Sequence, residues 1–162
     1  MTVFKLIELR SRIEQLRNLI SEKNRTDDKE SAGRLAKFVM LDPHNRQYEW
    51  HLGQLLEKMK KNDPLVDNIL LAKAKLVADE QVRAEKLAQL HEKFEDTDGG
   101  MQALYGLARL KIGRYQNEPD PEQKKKYLAE AREILTEFVK LYPDSIFTAQ
   151  ASKNLEDLPA AQ

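Results

Sequence analysis

Three histidines, a short acidic run and a glycine pair are the positions where this chain could do chemistry. The imidazoles are His44, His51 and His91. A zinc site draws on two of them at close helical spacing, or on one backed by cysteine thiolates. No His-Glu-x-x-His motif occurs, no two histidines stand three to five residues apart, and the chain has no cysteine. The lack of cysteine also removes disulfides and thiolate nucleophiles. Asp96-Thr97-Asp98-Gly99 has the opening of a calcium loop, but Leu107 falls where that loop needs its closing Glu, so the run reads as a helix-ending turn. Gly99-Gly100 lacks the Lys-Ser/Thr that completes a phosphate loop, and no strand pattern precedes it.

Carboxylates are plentiful, among them Glu8, Glu14, Glu49, Glu57, Glu92 and Glu95. On helices such groups are solvated or paired at four-residue spacing, as Glu57 is with Lys61. A catalytic acid pair needs a pocket that drives its two pKa values apart, and no pattern points to one. No serine stands in a nucleophile elbow. The chain therefore reads as a non-enzyme, with no catalytic residue, metal site or cofactor expected. Lys124-Lys125-Lys126 is the one compact basic run. It lies on the first turns of a helix and reads as a solvated face, with an acidic partner or lipid headgroups as the alternative.

Composition narrows the class. At 162 residues the chain can bury a core, and 41% hydrophobic with 33% charged residues suits an extended helical protein. Six Gly and six Pro argue against a loop-rich β fold. Lys plus Arg equals Asp plus Glu at 27 each, which leaves no net field to attract a phosphate backbone. Nucleic acid is thus not an expected partner. No run approaches the roughly 20 apolar residues of a membrane span. The opening MTVFKLIELR carries Lys5 and no long apolar stretch, so it does not read as a signal peptide, and an excised domain with an added Met1 is the favoured origin.

The elements follow from periodicity. Val3, Leu6, Leu9, Ile13, Leu16 and Ile20 predict an amphipathic helix over 3–23, within an N-terminal segment 1–23. Its seam is expected to pack on the helices that follow, or to form a short coiled coil with another copy. Asp27 with Glu30 offers a capping box for a helix over 28–41. Further helices are expected over 46–60, from Asp63-Pro64, across a break near Asp79-Glu80, over 101–113 and from Asp120-Pro121 to 141. A last one runs from near Ser145 to Leu158, with 159–162 as a loose tail. That makes about eight helices and no strands. One pattern occurs twice, 100 residues apart: Leu35, Phe38, Val39, Leu41 and Pro43 return as Leu135, Phe138, Val139, Leu141 and Pro143. Repetition of this kind marks stacked helix pairs, since a single pair cannot bury its own apolar face.

These residues resemble the tetratricopeptide repeat (TPR) family, whose unit of about 34 residues is a pair of antiparallel helices. Leu52-Gly53, Leu71-Ala72 and Leu107-Ala108 match the pair in the first helix of a unit. Ala84 and Ala131, and less closely Ser31, match the small residue that opens the second, while Pro43 and Pro143 match the closing proline. Asp96 takes the closing place in the middle unit. Two departures stand out. Leu52-Gly53 and Leu71-Ala72 are only 19 residues apart, and the interval from Leu107 to Ala131 exceeds the family's by about eleven. Phe38 and Phe138 stand where a plain repeat has Ala. The stretch from Phe138 to Ser145 is similar to the TPR subgroup of bacterial envelope proteins. That subgroup includes the Tol-Pal coordinator, the outer-membrane assembly lipoprotein and a translocon-associated TPR protein.

The resemblance implies an all-α fold of antiparallel helix hairpins, stacked over 28–158 as a short right-handed solenoid. It implies a protein–protein adaptor that takes a peptide or partner protein in a concave groove lined by first helices. Carried onto this chain, the groove residues are Trp50, His51 and Gln54 in one patch and Tyr105 and Arg109 in another, with Lys73 between them. The expected setting is a bacterial envelope complex, periplasmic or membrane-associated, with the cytoplasm as the other compartment the composition allows. The alternative function is a structural self-assembly module that forms a homo-oligomer through the 3–23 helix.

Overall fold

A computed structural model describes residues 29–60 and 62–160, with side chains from residue 33 onward. The predicted helix over 3–23 and the Asp27 cap lie outside the described residues. Among the described residues every regular element is a helix: α1 (Lys29–Met40), α2 (Tyr48–Glu57), α3 (Val66–Leu76), α4 (Glu80–Lys93), α5 (Asp98–Asn117), α6 (Pro121–Leu141) and α7 (Thr148–Asp157). The chain divides into two compact units between Leu76 and Val77, so the repeat pattern read over 28–158 runs through both.

Local chemistry sets most of the boundaries. Asp79 accepts a hydrogen bond from the Val82 amide at 2.9 Å and opens α4, at the break expected from sequence. Asp120 does the same for the Gln123 amide at 2.8 Å, with Pro121 in the first helical position of α6. Thr97 caps α5 through the Gly100 amide, so that helix starts at Asp98 rather than at 101. A Cβ on Gly100 would lie 1.8 Å from the Phe94 carbonyl oxygen, which reserves the position for glycine. Gly113 does not end α5, as its sequence position led one to expect. The helix continues to Asn117, and the modest cost of a mid-helix glycine is outweighed by tertiary packing.

Three interhelical turns repeat one hydrogen-bond pattern. In each, a small polar residue donates its amide to the carbonyl three residues back and accepts from the amide two ahead with its side chain. These residues are Asn45, Asp63 and Ser145, with side-chain bonds of 2.8 Å from Gln47, 3.0 Å from Leu65 and 3.1 Å from Phe147. Asp63 therefore acts three residues before the regular helix, which opens at Val66 rather than at Pro64.

In the first unit α2 packs on both α1 and α3. Leu52, Leu65 and Ile69 form the buried centre, ringed by the partly buried Leu35, Phe38, Leu41, Leu55, Leu56, Met59 and Ala72. An ion pair of 2.8 Å between Arg34 of α1 and the well-buried Asp63 carboxylate ties α1 to the turn before α3. In the second unit each helix packs on its neighbours in sequence, α5 against α6 most extensively. Ala84, Ala108 and Ala131 are buried, as expected of small residues that let helix axes approach. Around them lie Leu87, Leu104, Leu128, Leu135 and Phe138. The Arg132 guanidinium donates to the carbonyls of Leu155, Leu158 and Pro159 at 2.9 to 3.3 Å, a cation closing the C-terminal end of α7.

Candidate partner-binding surface

Helix α2 turns Leu52 inward, so Trp50, two residues and about 200° away around the axis, must face outward. It is 60% exposed. His51 meets its ring edge-on, with centroids 4.9 Å apart and planes at 68°. Gln54, one turn beyond Trp50, donates to Glu57 at 3.1 Å and is only partly buried. Lys73 arrives from α3. Its ammonium lies 3.9 Å from where a Cβ on Gly53 would stand, an ordinary contact distance that brings the cation against α2. Trp50 and Gln54 thus share one outward face of α2, with His51 against the indole, while Lys73 reaches the helix beside Gly53.

The second patch is different. Tyr105 is only 6% exposed. Its ring stacks on Phe147 at 5.1 Å and tilts against Phe138 at 5.4 Å. Burial raises its pKa, while nearby Arg109 and a hydrogen bond with Asn154 act the other way. This corrects the sequence expectation: the ring fills a gap between α5, α6 and α7 instead of lining a surface. Arg109, one turn further along α5, is exposed.

Sequence reasoning missed an open polar cleft of about 560 Å³ in the second unit. It is lined by Glu80 and Gln81 of α4, Gly113, Arg114 and Asn117 of α5, Glu118, and Tyr127 of α6. Arg114 sits at its centre. It donates to Gln81 at 3.0 Å and to the Tyr127 hydroxyl at 3.4 Å, and lies 3.6 Å from the Glu80 carboxylate. Its guanidinium and the Lys111 ammonium both stand over the Tyr127 ring, at 5.4 and 5.7 Å. Lys111 is paired with Glu130 at 2.6 Å. With Arg114 satisfied by its own neighbours, the cleft reads as a tie between three helices. Arg114 was not singled out from sequence, because the helix was expected to end at Gly113 and the residue belongs to its last turn only when α5 runs on to Asn117.

The histidines do not converge, and among the described residues no group of three or more His, Asp or Glu could hold a metal ion. His91 approaches the Tyr142 hydroxyl at 3.5 Å, and that hydroxyl donates to the Glu95 carbonyl at 2.8 Å. Burial first, then the Glu95, Asp96 and Glu137 carboxylates, push the Tyr142 phenol up to about 12, so it stays a neutral donor well into the alkaline range. Among the described residues no helix is long and apolar enough to cross a membrane. Compared with protein-family models, curated proteins and solved structures, the chain matches none.

Proposed function

We propose that this chain is a protein–protein interaction scaffold of TPR type, and that Trp50, His51, Gln54 and Lys73 contact a peptide segment of its partner. The observation that carries the reading is the exposed indole of Trp50, with His51 against its ring and Gln54 one turn along the same helix. Trp is among the residues that dominate interface energies, because a large flat apolar group gains most when a partner removes it from water. A polar ring around such an anchor supplies direction and hydrogen bonds. Arg109 is a second contact, on the other unit. The hairpins with buried alanines support the TPR resemblance, and with it a right-handed solenoid of such pairs. The Phe138–Ser145 stretch supports a bacterial envelope setting, periplasmic or membrane-associated.

Trp50 is the only tryptophan in the chain, so its emission reports directly on the surface. Peptides selected from a random library on the immobilised chain should shift and strengthen that emission on titration. Trp50→Ala should weaken the same peptides by about tenfold or more with the helical circular dichroism unchanged. Selected peptides that leave the emission unmoved and bind Trp50→Ala equally well would remove this surface from the proposal.

A further inference from the structure

Helix α7 is held at its two ends more than along its length. It has ten residues, fewer than a helix needs to persist unaided in water, and Ala151 is the one of them that is buried. Phe147 just before it and Leu158 just after it are buried as well. At the near end Phe147 stacks on Tyr105, its amide donates to the Ser145 hydroxyl, and the Thr148 hydroxyl donates to the Tyr142 carbonyl. The far end is closed differently from its neighbours. In α4, α5 and α6 the residue after the last helical one donates its backbone amide into the final turn; among the described residues Leu158 does not. Arg132 of α6 does the closing instead. Its Nη1 lies 3.3 Å from the Leu155 carbonyl oxygen, 2.9 Å from that of Leu158 and 3.0 Å from that of Pro159. That nitrogen has fewer hydrogens than acceptors, so the guanidinium charge holds the end as a whole. The matching position 100 residues earlier is Ala32, and α2 closes with the Lys58 amide on the Leu55 and Leu56 carbonyls.

We propose that α7 opens from the second unit as a flap, hinged on the Tyr142–Ser145 turn and latched at its far end by Arg132. Opening is cheap where little apolar surface is uncovered. Lifting the far end exposes Ala151 and Leu158 and leaves the packing of α5 on α4 and α6 in place. The Phe147 ring, at the hinge, keeps its stack on Tyr105. Asn154 leaves the Tyr105 hydroxyl, so that hydroxyl and the exposed Arg109, one turn along α5, come to face solvent together. The stretch expected from sequence to be a loose tail begins, at Pro159, with a carbonyl that forms part of the latch.

The chain has no native cysteine, so Ala151→Cys places a single thiol under the flap. Its rate of labelling by a thiol reagent measures opening of α7, and Ala84→Cys, in a separate variant, measures opening at a buried position of α4. Arg132→Ala should speed labelling at 151 by about tenfold or more and leave labelling at 84 unchanged. Arg132→Lys, which keeps the charge but not the planar fork, should fall between the two. Amide exchange in the cysteine-free chain should show the same split, with α7 faster in Arg132→Ala and α5 and α6 unmoved. Equal acceleration at both thiols, or in every helix of the unit, would make Arg132 a general support and overturn the flap. Unchanged exchange in α7 would overturn the latch.

Discussion

The hairpin of α1 and α2 and the hairpin of α6 and α7 are built on the same turn yet filled differently. In the later hairpin Phe138 lies 5.4 Å from Tyr105 and 5.3 Å from Tyr142, and Tyr105 stacks on Phe147. The positions that match Tyr142 and Phe147 in the earlier hairpin are Asp42 and Gln47. Both are exposed, and the Asp42 carboxylate is used locally, accepting the His44 amide at 2.9 Å. One backbone geometry therefore serves a closed aromatic core in one unit and a half-open aliphatic face in the other. Turn geometry is set by local hydrogen bonds, whereas closure of the core depends on which side chains the neighbouring helices bring. The difference also separates roles: the filled hairpin anchors its unit, and the open one leaves Trp50 in solvent.

The contrast is most exposed to failure at the paired phenylalanines. Phe138→Ala should destabilise the second unit by about 3–5 kcal/mol, the usual cost of emptying a fully buried aromatic site. Phe38→Ala should cost about 1–2 kcal/mol, since its ring is only partly buried against the Leu52, Leu65 and Ile69 cluster. Urea unfolding followed by Trp50 emission for the first unit, and by amide exchange in α5 to α7 for the second, measures each separately. Equal losses would mean that the two faces are equally covered. The turns should behave the opposite way. Asn45→Ala and Ser145→Ala remove the same kind of side-chain bond and should cost about 0.5–1.5 kcal/mol each, so a large gap between them would break the equivalence of the hairpins.

A smaller effect distinguishes them by pH. Tyr142 has its pKa raised to about 12 in the folded chain, against an ordinary value of 10.0. A raised folded pKa means that the native state holds the proton more tightly. The resulting stability is fully present below pH 10 and is lost as pH rises through about 12. Tyr142→Phe should therefore flatten the alkaline loss of stability in the second unit across that window. Asp42 holds the matching place in the first unit, so no phenol at that position contributes there. Unfolding midpoints of the second unit that fall equally in both chains between pH 10 and 12 would show that Tyr142 does not govern this transition.

Much of the local structure was legible from sequence because it depends on neighbours a few residues apart. Asp120 caps where it was expected to, and the break expected near Asp79-Glu80, in a run with neither Gly nor Pro, is where α4 begins. The misreading of Gly113 has a physical source: a helix-weakening residue ends a helix only where packing does not hold both sides of it. The candidate surface was legible in part. Spacing alone put Trp50 with Gln54 and Tyr105 with Arg109 on common helix faces, but gave the two aromatics equal standing. Their neighbours separate them, since Phe138 and Phe147 come from helices 33 to 42 residues further along the chain.

What the sequence determined by itself is the all-helical character of the described residues, most of the helix breaks and the recurrence of one motif at residues 35–43 and 135–143. These rest on periodicity and capping, which act over three or four residues. Only the tertiary structure decided that Tyr105 is buried and Trp50 exposed, and that Arg114 joins three helices while Arg132 closes a fourth. An amphipathic pattern tells which residues share a face. Whether that face meets protein or water depends on side chains that arrive from distant parts of the chain.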